Sequence, residues 1–155
     1  MTDRLTPKQR SLHMARIKGA DTAPELALRR GLHAERLRFR LHGRNLPGRP
    51  DLVFASHHAV VFVHGCFWHS HDDCVHATVP KTRPEFWRAK LAANKARDAR
   101  ITGELCAGGW RVLIVWECAL KSAKVRPATI AKAALWIRSR SPFREIPPAS
   151  AASEA

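Results

Sequence analysis

The chain has 155 residues, enough for one domain with its own core and too few for two of ordinary size. Its 27 Lys and Arg against 13 Asp and Glu leave a net charge of +14, which predicts a polyanionic partner, most commonly nucleic acid. No apolar run reaches the roughly 18 residues of a membrane span, and MTDRLTPKQR lacks the apolar stretch of a signal peptide, so a cytoplasmic location without membrane contact is expected.

Residues 8–18 (KQRSLHMARIK) read as a short basic amphipathic helix, with Leu12, Met14 and Ile17 apolar and Gly19 ending it. Thr22-Ala23-Pro24-Glu25 has the form of a capping box, with Thr22 as N-cap and Glu25 at N3. It opens a helix to about Arg36 with Leu28 and Leu32 on one face. Residues 37–41 (LRFRL) alternate like a half-buried strand. The turn-rich NLPGRP precedes a strand over 51–55. His57 and His58 occupy a turn, and 59–63 (AVVFV) read as a second strand that pairs with the first as a hairpin. Residues 65–81 are too irregular for a regular element. Thr82-Arg83-Pro84-Glu85 is a second capping-box pattern, opening a helix to about Leu105 that Cys106-Ala-Gly-Gly109 stops. Residues 110–117 (WRVLIVWE) form a continuous apolar strand, as expected where both faces are covered. Pro127 starts a last helix with Ile130, Ala134 and Ile137 on one stripe, and 147–155 read as a frayed tail. A strand–helix–strand crossover requires a parallel pair, and the hairpin an antiparallel one. The expected fold class is therefore α/β, with a mixed central sheet flanked by helices on both faces. Residues 1–146 would form a single domain.

Charge and chemistry are unevenly spread. Residues 1–50 carry 12 basic and 4 acidic residues (net +8), and 81–155 carry 15 and 6 (net +9). Residues 51–80 hold no Lys or Arg and three Asp (net −3), yet six of the nine histidines and two of the four cysteines. This pattern suggests a body that grips phosphate around a centre that holds metal. Cys66, His71 and Cys74 lie within nine residues, and Cys118 directly follows the apolar strand. Together they make a Cys₃His set, the ligand mix of a closed structural zinc site. A reducing cytoplasm disfavours disulfides, which leaves metal or free thiols. Either His64 or His69 could replace His71 in such a set. Cys106 is left over and is expected to pack at a helix end.

Pro50-Asp51 opens a strand, as in many nucleases that hold Mg²⁺ on an Asp to polarise phosphate. Such nucleases add a second acid and a Lys on the neighbouring strand, which here reads Val61-Phe62-Val63-His64 and has neither. An uncommitted His near Asp51 could act as general base. Glu25 already has a structural task in its capping box. Phe67 and Trp68 sit in a polar loop, and Trp87 lies among Arg83, Arg88 and Lys90. Aromatics beside basic groups can wedge into a base stack, or can simply cover the metal loop as a local core.

Five segments, RSLHMARIKGADTAPE (10–25), LPGRPDLVF (46–54), VVFVHGCFWHSH (60–71), PKTRPEFW (80–87) and GWRVLIVWEC (109–118), together resemble the very-short-patch-repair (Vsr) DNA mismatch endonucleases in order and spacing. The resemblance implies a restriction-endonuclease-like fold and a nick 5′ to the thymine of a T·G mismatch, the lesion left when 5-methylcytosine deaminates. It implies that Asp51 and the backbone carbonyl of Val63 hold Mg²⁺. His69 corresponds to the catalytic histidine, Glu25 to the group orienting its other nitrogen, and His64 to a supporting histidine. Phe67, Trp68 and Trp87 correspond to the intercalating aromatics, residues 1–20 to a DNA-clamping segment, and Cys66, His71, Cys74 and Cys118 to the zinc ligands. A bacterial, nucleoid-associated location is expected, contact with mismatch-repair proteins is a family expectation, and the small size and asymmetric substrate point to a monomer. Two departures stand out. Val63 occupies a position where the family often has Thr, and two residues, Asp72 and Asp73, separate His71 from Cys74 where one is usual. The competing readings are a zinc-stabilised DNA-binding module without catalysis, and a nuclease that cuts fully paired DNA.

Overall fold

A computed structural model describes residues 21–148 together with Thr6, Lys8 and Gln9. The basic helix expected over 8–18, the clamping segment 1–20 and the tail from 149 onward therefore lie outside, or largely outside, the described residues. The first described helix, α1 (Ala23–Ala34), begins at Thr22, whose hydroxyl accepts the Glu25 N–H. The other half of the expected capping box is displaced by one residue, because the Glu25 carboxylate accepts the Asp21 N–H at 2.9 Å. Leu28 and Leu32 are fully buried.

Five strands follow: β1 (Arg40–Leu41), β2 (Leu52–Phe54), β3 (Ala59–His64), β4 (Arg111–Trp116) and β5 (Phe143–Ile146). They lie side by side in chain order. The β1–β2 and β2–β3 pairs are antiparallel; β3–β4 and β4–β5 are parallel. β1 is shorter than the expected strand 37–41; Leu37 is buried and Phe39 packs edge-on against Phe54, but Leu41 is exposed, so the inward alternation holds only over the first half. His58, at φ 51, closes the tight turn of the β2–β3 hairpin.

The long helix α2 (Pro84–Ala107) carries the chain from β3 to β4. Its expected capping box does not form: Arg83, not Thr82, occupies the N-cap at φ 55 and makes no side-chain cap bond. A residue before proline is pushed out of the right-handed helical region, and Pro84 at the first helical position has no N–H to satisfy. Beyond β4 come a single turn, α3 (Cys118–Lys121), and α4 (Arg126–Arg138). Neither α3 nor β5 was expected. Pro142 before β5 and Pro147 after it mask a four-residue edge strand whose Phe143 and Arg144 are exposed.

The sheet is covered on both sides. On one face Leu52, Phe54, Val61, Leu113 and Val115 pack against α1, α3 and α4. On the other, Val60, Phe62, Val112 and Ile114 pack against Leu105 and Ile101 of α2. This explains why β3 and β4 read as unbroken apolar runs.

The α1–α4 crossing is close because residue 31 is glycine. A Cβ there would stand 2.5 Å from Cδ1 and 2.6 Å from Cγ2 of Ile130. Gly31→Ala should therefore destabilise the domain despite a helix-propensity gain of about 1 kcal/mol, since overpacking costs roughly 1–3 kcal/mol. Thermal melts check this, and a raised Tm would show that Ile130 yields freely.

Candidate active site and metal centre

The site lies at the carboxyl ends of the parallel strands β3 and β4, where open α/β sheets commonly bind ligands. Asp51 reaches it from the antiparallel neighbour. Gly48 and Arg49, at φ 72 and 48, turn the chain into Pro50 and Asp51. At Gly48 a side chain would meet Ile101 Cγ2 at 2.5 Å, so this turn sits tightly on α2. The Asp51 carboxylate accepts at 2.7 Å the N–H of Val63, the same residue whose carbonyl the sequence resemblance singles out. Burial raises Asp51 to about 6, helped by the nearby Glu25 charge and opposed by the Val63 bond. A cavity of about 500 Å³ brings Glu25, Arg49, Asp51, His64, His69 and Asp98 to one place.

His69 does not find Glu25. Its Nδ1 lies 2.6 Å from Asp98 Oδ2, on α2. Glu25 is occupied locally, with the Asp21 N–H and, at 3.4 Å, with Arg29 Nη2. The expected orienting role of Glu25 is thus corrected: the carboxylate on the His69 ring is Asp98, and Glu25 contributes negative potential beside Asp51. A carboxylate accepting the Nδ1–H leaves Nε2 as the nitrogen with a free lone pair. His64 stacks on His69, with ring centroids 3.8 Å apart and planes within 5°. Burial first, and His69 second, lower His64 to about 3, so it stays neutral.

Just beyond the same ends of β3 and β4, Cys66, His71, Cys74 and Cys118 each offer a ligand atom within 4.8 Å of the others. Tetrahedral ligands at metal–sulfur distances near ~2.3 Å stand slightly under ~4 Å apart, so this set fits one four-coordinate ion. The additional residue in the His71–Cys74 loop is accommodated where Asp73 adopts φ 55. His71 also stacks on Trp116, with centroids 4.1 Å apart. Burial pushes the Cys66 and Cys118 thiols up and His71 down. The unpaired cysteine, Cys106, is exposed at the end of α2, contrary to the packed position expected for it.

Phe67, Trp68 and Trp87 form a mutually edge-on trio with centroids 5.1, 5.5 and 5.9 Å apart. All three are half-buried, and Lys90 stands 5.8 Å from the Trp68 ring. Phe86 extends the cluster against Trp87 and is 44% exposed.

Sequence reasoning placed this helix but missed that its side chains pin the loop. Asn94 donates to the Trp68 carbonyl, Lys95 to Asp72, and Asp98 accepts from His69. Residues 94, 98, 101 and 105 are spaced for one face of α2. That spacing alone marked Asp98 as inward-facing, and a carboxylate facing inward from a basic helix was the available signal.

A family profile described as DNA mismatch endonuclease Vsr matches residues 2–76. The chain is 50% identical over 120 residues to the Type II nicking enzyme V.XorIIP of Xanthomonas oryzae pv. oryzae, across 77% of this chain and 88% of that protein. It is 49% identical over 112 residues to the DNA mismatch endonuclease Vsr of Escherichia coli, across 72% and 71%. With the Type II nicking enzyme V.NmeAIP of Neisseria meningitidis it shares 38% over 125 residues, across 81% and 89%.

Proposed function

The chain belongs to the Vsr family of DNA mismatch endonucleases and nicking enzymes, which have a restriction-endonuclease-like fold, and from that premise we propose that it nicks one strand 5′ to the thymine of a T·G mismatch by Mg²⁺-dependent phosphodiester hydrolysis. The observation that carries the proposal is the shared cavity of Asp51 and the His69–Asp98 pair. A non-catalytic DNA-binding module has no use for that pairing.

Asp51 fits a hard divalent cation. It is a largely buried carboxylate whose one hydrogen bond comes from a backbone amide, and no cationic side chain pairs with it among the described residues. Asp51 and the Val63 carbonyl would hold Mg²⁺, both being oxygen donors suited to it. When bound, the ion supplies positive charge to the phosphate and the leaving oxygen. The protein's own part is proton handling. Nε2 of His69 accepts a proton from the attacking water, and Asp98 stabilises the imidazolium that results. Neutral His64, stacked behind, holds the ring in place without adding a competing positive charge.

Cys66, His71, Cys74 and Cys118 would hold Zn²⁺, for which a Cys₃His set is well suited. This site fixes the loop that carries His69, Phe67 and Trp68. The aromatic trio would enter the base stack, and unstacking is cheapest at a mispaired step. The substrate is thus double-stranded DNA, met by a monomer.

The test is a pair of labelled duplexes, one with a central T·G and one with C·G, incubated with Mg²⁺ in several flanking contexts. A nick 5′ to the mismatched thymine, and none in the C·G duplex, is the expected result. Equal cutting of both would discard the mismatch and keep the nuclease.

A further inference from the structure

The Asp51 cavity is rich in carboxylates: Glu25, Asp51 and Asp98 all line it. A phosphodiester anion entering there needs cationic partners from the protein. The lysine that comparable nucleases place on the neighbouring strand is absent, since β3 reads Val61-Phe62-Val63-His64. Two guanidinium side chains, Arg49 and Arg97, also line the cavity.

We infer that Arg97 and Arg49 form a two-guanidinium clamp on the non-bridging oxygens of the scissile phosphate. The inference rests on the reading of Asp51 and His69 as the hydrolytic site. Three observations support it. The first is that both arginines are uncommitted. Glu25 is engaged by Arg29 and Asp98 by His69, whereas neither Arg49 nor Arg97 pairs with a carboxylate among the described residues. Their neighbours on α2 behave differently: Lys95 is paired with Asp72 and Arg100 with Glu104.

The second is backbone placement. Arg49 adopts φ 48, a left-handed conformation that favours glycine, directly after Gly48 at φ 72. The turn is seated on α2 through the Gly48–Ile101 contact. Arg97 sits next to Asp98 on the same helix and one turn before Ile101, so both arginines are rooted in backbone that belongs to one scaffold. The third is chemistry. A guanidinium offers paired donors matched to two phosphate oxygens, and it remains charged at any working pH.

The experiment uses the zinc-loaded full chain and a T·G duplex, with Arg97→Ala, Arg97→Lys, the Arg49→Ala/Arg97→Ala double variant and Arg100→Ala. Single-turnover nicking with Mg²⁺ should fall about 10²–10³-fold in Arg97→Ala, the usual loss when one preorganised charge-stabilising donor is removed. Arg97→Lys should recover part of that rate, and Arg100→Ala should match wild type. Binding to a duplex with a neutral methylphosphonate at the nicked position is the second readout, with Ca²⁺ replacing Mg²⁺. That neutral link should weaken the wild type several-fold and leave the double variant unaffected. Equal weakening of both proteins, or equal rate loss in Arg100→Ala and Arg97→Ala, would overturn the clamp. Rate ratios are taken on whichever duplex the wild type nicks. Loss of mismatch selectivity therefore sinks only the T·G reading. Wild-type nicking by Asp51→Ala would overturn the site and the clamp with it.

Discussion

Replacing Asp51 by Asn is expected to abolish nicking and, in the metal-free protein, to raise thermal stability above pH 6. Both effects have one cause. Burial lifts the Asp51 carboxyl from its ordinary 3.8 to about 6. Between those values the folded chain keeps a proton that the unfolded chain has released. Stability therefore falls as pH rises from about 4 to 6, and the deficit is complete above 6. A shift of this size corresponds to about 3 kcal/mol at most. Asn is nearly isosteric and its carbonyl oxygen can still accept the Val63 N–H, so the variant escapes the deficit. It should melt several degrees above wild type at pH 8 and level with it at pH 4. Adding Mg²⁺ should stabilise the wild type at pH 8, by mass action, and leave the variant unchanged. Nicking should vanish because a neutral amide cannot replace the carboxylate as a cation ligand. Melts at the two pH values and a single-turnover assay check the pair of effects. A variant that nicks normally, or shows the wild-type pH profile of stability, would remove Asp51 from the centre of the site.

Much of this arrangement was legible in the sequence because it rests on local signals. The runs AVVFV and WRVLIVWE gave the two central strands, since residues covered on both faces need no polar alternation. Asp51 was marked by its place at a strand start, and the histidines and cysteines by their concentration in 51–80. Choosing Cys118 over Cys106 followed from the rigidity of a strand end, and the structure brings Cys118 to Cys66, His71 and Cys74 while leaving Cys106 exposed. What escaped notice was long-range or marginal. Asp98 meets His69 across 29 positions, and no local motif on its helix joins the two. Glu25 had the orienting role only through the family resemblance, since nothing in its local sequence beyond the capping box bears on the imidazole. β5 is an edge strand, exposed along its first two residues and bounded by prolines, so neither period nor composition set it apart from the tail.

Removing zinc should cost the loop and spare the sheet. Residues 65–83 contain no helix or strand, and their apolar side chains are only half-buried at Phe67 and Trp68, with Val75 84% exposed. Burial keeps the Cys66 and Cys118 thiols protonated when no cation is present, so the metal-free cluster offers little cohesion of its own. Structural zinc contributes on the order of 10 kcal/mol or more in small zinc-dependent folds at neutral pH. That is comparable to the whole stability of an ordinary domain, typically about 5–15 kcal/mol. The side-chain bonds that remain, with Asn94, Lys95, Asp98 and Glu117, contribute roughly 1 kcal/mol each, so with the ring contacts to Trp87 and Trp116 they fall short of what zinc supplies. The sheet has separate support, since Leu28, Leu32, Phe54, Val61, Leu113 and Ile137 are buried in the core cluster that excludes the cysteines. The purified protein should carry one zinc per chain. After chelation, or in Cys118→Ser, amide exchange should become fast over 65–81 while 59–63 and 111–116 stay protected. Nicking should be lost with the loop, because His69 and the aromatic trio depart from Asp51 together. Cys106→Ser should change neither exchange nor nicking. Unchanged protection over 65–81 in protein shown by elemental analysis to be zinc-free would mean that α2, and not the metal, holds His69 in place.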